Sequence, residues 1–311
     1  MNHPKVTVVG AGQVGATAAL LLLLKEIADV VLVDVAEGLP QGKALDMMHA
    51  RSVERFGPRV LGTNEYAETA ESDVVVITAG LPRKPGMTRD DLLAANSAIV
   101  RSVISSVVAA SPDAIVLCVT NPLDVMVYLA WKESGLPPQR IFGMGGVLDS
   151  ARFAYFIAAA LDVPIDTVEA LACGAHGDAM VPLPRHSFVN GTPLTDLLSA
   201  DEVDELVKRT IFGGAEVVAL LKTGSAFYAP AASVVRMVEA ILSDEGATLP
   251  SCVYLDGEYG IEGIYLSVPA TLGRAGVLAI PELELSDDEL AALQASAATV
   301  ADAVDSLGLR G

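Results

Sequence analysis

Cysteine and lysine are both scarce in this sequence, and each scarcity excludes something. There are three cysteines in 311 residues, Cys118, Cys173 and Cys252, scattered without a C-x-x-C spacing. That pattern argues for reduced thiols and against both a disulfide framework and a zinc site. Cys118 lies in an apolar run and is expected in the core. Lysine occurs only seven times, and 20 basic residues face 39 acidic ones, for a net charge of −19. Nucleic acid is excluded as a partner, because its phosphates require a basic face. The acidic balance suits solubility through self-repulsion. It is equally compatible with a high-salt cytoplasm, where screening makes such a surface tolerable. The longest apolar helix expected, residues 16–24, falls short of the roughly 20 residues a bilayer requires, so no membrane partner is expected. The chain enters a strand without the charged region, apolar core and cleavage site of a signal peptide, which makes a cytoplasmic location the expectation.

What is present is a globular composition, 52% hydrophobic, in a chain long enough for one large or two modest domains. One stretch organises it. Lys5-Val-Thr-Val-Val9 is a β-branched strand, Gly10-Ala11-Gly12-Gln13-Val14-Gly15 a glycine turn, residues 16–24 a helix, and Val30 to Val33 a second strand ending on Asp34. Strand, glycine turn, helix, strand and acid together form the dinucleotide-binding fingerprint. Gly10 permits the tight turn, Gly12 the approach of backbone to a pyrophosphate, and Gly15 close packing of helix on sheet. Phosphates would rest on the unpaired N–H groups at the helix N-terminus. Asp34, 19 residues past Gly15, suits the adenosine ribose hydroxyls and repels a 2′-phosphate, so NAD is favoured over NADP.

The remainder of the first half alternates helix and strand. A turn at residues 38–42 leads to a helix at 43–51, followed by a buried strand at 73–80 and a loop at 81–89. A long helix at 90–110 opens on Thr88 and Asp91, spaced as a capping pair. A core strand at 114–120, a helix at 125–134 and a short strand at 140–143 complete an α/β, doubly wound parallel-sheet (Rossmann) NAD domain over residues 1–143. Residues 144–311 read as an α+β substrate and catalytic domain. Its expected helices lie at 149–161, 201–221, 229–243 and 287–307, and its strands at 168–173 and 249–254. A hairpin is expected at 187–193, turning at Asn190-Gly191.

Outside the fingerprint, three stretches carry polar groups where a core would not want them. They are Arg83 and Arg89 on the glycine-containing loop, Asp149 and Arg152 at a helix start, and His176 between glycines after an apolar strand. Each has a bland account as a solvated loop, a local salt bridge or a structural histidine. Beside a nicotinamide they make a mechanism. Hydride transfer to a 2-oxo acid needs a proton donor, for which histidine is poised. A carboxylate can fix the imidazole tautomer, and a guanidinium can grip a substrate carboxylate in bidentate fashion.

At these residues the sequence resembles the lactate/malate dehydrogenase family, most closely its lactate-dehydrogenase-like malate branch, and it does so over essentially the whole chain. The motifs are the fingerprint, Pro82 to Leu92, Val119-Thr-Asn-Pro-Leu-Asp124, Leu148-Asp-Ser-Ala-Arg-Phe153 and His176-Gly-Asp178. The resemblance implies that His176 exchanges the proton at the 2-carbon oxygen, with Asp149 behind it. Arg152 would clamp the 1-carboxylate, and Arg89 would close over the substrate and polarise its carbonyl. Asn121 would bind substrate, and Val119, Thr120, Asn121 and Asn96 would line the nicotinamide end. The peptide before Pro122 tends to be cis in this family.

Arg83 stands where lactate dehydrogenases place glutamine, and a buried second carboxylate would need such a partner. An arginine left unpaired by pyruvate's methyl group penalises the wrong substrate. The implied activity is the NAD-dependent interconversion of malate and oxaloacetate in the tricarboxylic acid cycle, by a homotetramer or dimer without a metal. Lactate or broad 2-hydroxy acid dehydrogenation, or a silent nucleotide-binding protein, are the alternatives. One departure is Ala175, where lactate dehydrogenases usually have glutamate before the histidine. The charge of −19 also exceeds the family's usual range.

Overall fold

The structure, a computed structural model, describes residues 3–82 and 88–310, apart from the side chains of Arg89 and Asp90. Its first half alternates β1 (Lys5–Val9), α1 (Gln13–Leu24), β2 (Asp29–Val33), α2 (Leu39–Glu54), β3 (Val60–Thr63), β4 (Val74–Ile77), α3 (Arg89–Ala110), β5 (Ile115–Cys118), α4 (Leu123–Ser134) and β6 (Ile141–Gly143). These strands are parallel, in the order β3-β2-β1-β4-β5-β6. Helices cover both faces of the sheet, so β4, β5 and β6 bury every side chain, which explains why they are apolar throughout. Strand order reverses between β1 and β4. The crevice at their carboxyl ends is where such a sheet binds ligands.

The second half comprises α5 (Gly146–Leu161), β7 (Val168–Glu169), β8 (Ala172–Gly174), β9 (Met180–Pro182), β10 (Phe188–Val189), β11 (Thr192–Pro193), α6 (Leu194–Leu197), α7 (Ala200–Leu221), α8 (Tyr228–Ser243), β12 (Ala247–Asp256), β13 (Glu262–Gly273), β14 (Gly276–Ala279) and α9 (Asp287–Ser306). It does not start a separate sheet. Strands β12, β13, β8 and β9 continue the first sheet in antiparallel fashion, with Cys252 of β12 opposite Gly143 of β6. Glycine at the junction permits this. A Cβ on Gly143 would stand 2.7 Å from Val127 Cγ2, and one on Gly146 would stand 2.9 Å from the Pro250 carbonyl. One hydrophobic core accordingly runs from Val6 and Leu22 through Phe142 to Leu266 and Val300.

Several expectations need correction. Helix α2 begins at Leu39, not at residue 43. Gly38 is its N-cap at φ +78°, and Pro40 fits the first turn because the N–H it lacks would have no helical partner there. The stretch 168–173 is not one strand. Its start, β7, pairs with β10 in a small sheet, while β8 pairs with β13 and β9 in the large one. Strands β3, β9, β13 and β14 were not foreseen. Nor do residues 16–24 hold the longest apolar helix. Asp91–Ala110 has a mean hydropathy of 1.6 and is long and apolar enough, by length and composition, to cross a membrane. In the fold it packs on α4, with Val100, Ile104 and Val107 buried and Arg101 paired with Glu133. The capping box at Thr88 and Asp91 and the hairpin at Asn190-Gly191 are both formed.

Tyr265 is fully buried, with ring centroids 5.4 Å from Tyr254, 5.9 Å from Trp131 and 6.3 Å from Tyr128. Its hydroxyl has no hydrogen-bond partner among the described residues. An unpaired buried hydroxyl is destabilising. The Tyr265→Phe variant should therefore be more stable to urea by about 1 kcal/mol, and a loss of that size would show that the hydroxyl is paired.

Candidate active site

The glycine turn is built as its spacing requires. Gly10 sits at φ +106°, and a Cβ there would meet the Ala79 backbone nitrogen at 2.7 Å. A Cβ on Gly15 would stand 1.9 Å from the Gly10 carbonyl oxygen, so the helix could not seat on the strand with any other residue. No side chain caps α1, which leaves its first N–H groups for an anion. The Asp34 carboxylate accepts the Ala11 N–H at 2.7 Å and the Ala36 N–H at 2.9 Å, and Lys43 Nζ donates to the Ala11 carbonyl at 2.8 Å. The loop is thus held from both sides before any ligand arrives.

From this turn a cleft of about 410 Å³ runs along the carboxyl ends of the strands. Gly12, Gln13, Val14 and Gly15 form one end, and Asn96, Val119, Thr120 and Asn121 form the other. Asn96 is buried and spends its amide on structure. It accepts the Leu81 N–H at 2.8 Å and donates to the Asn121 carbonyl at 2.7 Å, bracing the two walls. The Asn121–Pro122 peptide is cis. A second cleft of about 300 Å³ shares Val14, Val119, Asn121 and Ser225 with the first and adds Arg152 and His176.

Behind these two side chains is one carboxylate. Asp149, in the first turn of α5, is buried, and its Oδ2 lies 2.8 Å from His176 Nδ1. Its Oδ1 accepts from Arg152 Nη1 at 3.2 Å. With Nδ1 engaged, Nε2 is the ring atom left for the cleft. Burial works against a charged imidazole here. The Asp149 charge and hydrogen bond, helped by Asp124, outweigh burial and hold His176 above its ordinary 6.5. A histidine raised in this way contributes stability in full below its unfolded pKa, and that contribution is lost as pH rises through the folded one. Across the cleft, Gly214 of α7 faces the Arg152 guanidinium, with its Cβ position 3.4 Å from Nη2.

The structure therefore brings together His176, Arg152 and Asn121 in one cleft, with Asp149 behind the first two, and Gly12 to Gly15, Asn96, Val119 and Thr120 in the adjoining one. Ala11 and Asp34 stand just behind the turn. Arg83 and the side chain of Arg89 lie outside the described residues. Sequence reasoning missed the far wall, Thr223, Gly224, Ser225 and Phe227 between α7 and α8, and Ile211, Ala215, Val218 and Leu221 on α7. The Thr223-Gly224-Ser225 break between two helices was the available signal. It also missed Thr78, whose hydroxyl lies 3.1 Å from the Val9 and Gly10 carbonyls, and nothing in the sequence marks that residue.

A glycine-lined groove at the switch point of a doubly wound sheet, opening on a histidine able to exchange a proton, defines a dinucleotide-dependent dehydrogenase. Residues 4–143 match the lactate/malate dehydrogenase NAD-binding domain, and residues 146–307 match the lactate/malate dehydrogenase α/β C-terminal domain. The chain belongs to the lactate/malate dehydrogenase family. It is 49% identical over 305 residues to a malate dehydrogenase of Roseiflexus castenholzii, covering 98% of this chain and 99% of that one.

Among solved structures, malate dehydrogenase from Cryptosporidium parvum superposes with a TM-score of 0.96 at 44% identity, over 98% of this chain and 99% of that one. The lactate dehydrogenase of the same organism, crystallised with lactic acid and NAD, matches at 0.96 and 42% over the full length of both. The cofactor is NAD. The uncapped α1 terminus and the open glycine cradle fit it, and among the described residues no acidic side chain lines the cleft beside α1.

His176 should titrate above 6.5 in the free protein and fall in Asp149→Asn, as followed by NMR of histidine-labelled protein. With four histidines in the chain, His176→Asn assigns the signal. A midpoint indifferent to Asp149 would show that the pair does not set the ring's basicity.

Proposed function

We propose that this protein is an NAD-dependent malate dehydrogenase, interconverting (S)-malate and oxaloacetate. The observation that carries the chemistry is the Asp149 carboxylate shared between His176 and Arg152. When bound, NAD supplies the hydride acceptor. In malate oxidation, neutral His176 donates Nδ1–H to Asp149 and takes the substrate hydroxyl proton on Nε2. In oxaloacetate reduction the protonated ring returns it. Arg152 has one guanidinium nitrogen on Asp149 and others free to grip the 1-carboxylate. Asn121 offers its amide to the substrate. Arg89 polarises the carbonyl and excludes water. Gly10 to Gly15, Asp34 and the wall of Asn96, Val119 and Thr120 hold the cofactor. Apolar neighbours Leu148, Met180, Ile211, Val218 and Pro230 keep the cleft dry enough for those charges to act strongly.

The choice of malate over lactate rests on the names of the curated relatives and on Arg83, which would meet the second carboxylate of oxaloacetate. The fold itself is shared by both activities. In our reading the enzyme serves the tricarboxylic acid cycle in an acidic cytoplasmic proteome and assembles as a homotetramer, or else a dimer. Exposed apolar side chains support assembly: Leu45 and Val53 on α2, Tyr155 on α5, Phe212 and Leu220 on α7, and Tyr228 on α8.

NADH oxidation with oxaloacetate should exceed that with pyruvate by roughly a hundredfold or more, and Arg83→Gln should erase most of the difference. Equal rates in the unaltered enzyme would overturn the malate assignment. Sedimentation velocity should give the mass of a tetramer or dimer that persists in molar salt. A monomer active at the same concentration would sink the assembly proposal.

A further inference from the structure

Asp124 has no place in the mechanism above, yet it is a buried carboxylate beside the reacting histidine. It lies in the first turn of α4, three residues after Asn121, which lines both clefts. Its Oδ2 accepts the backbone N–H of His176 at 2.9 Å, and its Oδ1 accepts from the Cys252 thiol of β12 at 3.3 Å. It forms no ion pair with lysine or arginine among the described residues. A buried charge without a cation is costly to keep, and an amide could hold the His176 N–H equally well. We propose that Asp124 is a second carboxylate for His176, a positioning residue that ties the histidine loop to the Asn121 end of α4 and favours the proton-bearing ring from its backbone side. This inference rests on the proposed role of His176 as proton carrier.

Among the described residues, the groups around the pair are few. Cys252 faces Asp124 from β12, with Cys118 of β5 acting on that thiol in turn, while Asp149 and Arg152 of α5 face the ring. Burial pushes Asp124 up to about 6, held from rising further by His176 and by the Cys252 thiol. In its ionised form Asp124 adds its charge to that of Asp149 in favouring a protonated His176. Cys252 is buried too deeply to ionise, so it serves only as the donor that steadies the carboxylate.

Asp124→Asn keeps an acceptor for the His176 N–H and removes the charge; Asp124→Ala removes both. In substrate-free protein, the His176 NMR titration should move to lower pH in both variants. The limb of malate oxidation that requires a neutral ring should move with it. Asp124→Ala should in addition lose roughly a hundredfold in kcat through misplacement of the ring. Cys252→Ala, which withdraws the thiol, should shift the titration in the same direction by less, and Cys252→Ser, whose hydroxyl also donates, should restore it. An unchanged His176 midpoint in Asp124→Asn overturns the proposal. If that variant does not fold, an unchanged midpoint in Cys252→Ala overturns it instead. The titration is read without substrate, so an enzyme that preferred another 2-oxo acid would still report on Asp124.

Discussion

The site depends on a single buried carboxylate having two occupied oxygens. Asp149 gives one oxygen to the His176 imidazole and the other to the Arg152 guanidinium. A charge this deep is tolerable only because both partners are in place. The constraint runs in both directions. The histidine cannot turn away without stranding the aspartate, and the arginine is held at a fixed distance from the ring. In the proposed mechanism, proton transfer and substrate orientation are coupled through two hydrogen bonds accepted by this one side chain.

That helix is held in place by the sheet. Gly146 begins α5 against Pro250 of β12, and β12 is itself the neighbour of β6. On the other side of the cleft the parallel strands end in the glycine turn, where Gly10, Gly15 and Thr78 bring α1 onto β1 and β4 at distances no larger residue allows. The glycine-turn groove and the His176–Asp149 pair are therefore two parts of one continuous frame. Asn96 braces the walls where they meet.

Much of this was legible in the sequence wherever chemistry and local structure coincide. The fingerprint from Lys5 to Asp34 specifies strand, turn and helix through residues that also serve the ligand, so a single pattern carries both messages. His176, Asp149 and Arg152 stood out because each is polar within an apolar context, and the fold places them together. Long-range pairing left no such trace. β13 is a continuous strand of 12 residues, buried from Ile264 to Ala270, whose partners lie on either side only after folding. The split between β7 and β8 depends on which sheet each half can reach. β3 is short and carries Gly62, so it reads as a loop. The apolar character of α3 is spread around the helix among serines, and only its packing on α4 shows which face is core. Asp124 sat inside a recognised motif, but its role rests on the His176 backbone and Cys252, which are 52 and 128 residues away.

The seam between β6 and β12 has a consequence for how the molecule can be taken apart. Because Gly143 and Cys252 pair across it, the two halves are not beads on a string with a linker between them. Cutting the chain between β6 and α5 would leave each fragment with a raw strand edge and an uncovered piece of a shared interior. Such edges recruit whatever strand is nearest. Exchanging one half for that of a relative would succeed only where the replacement presents the same glycine-lined seam. For this chain the natural unit of recombination is the loop, and the sheet must be inherited whole.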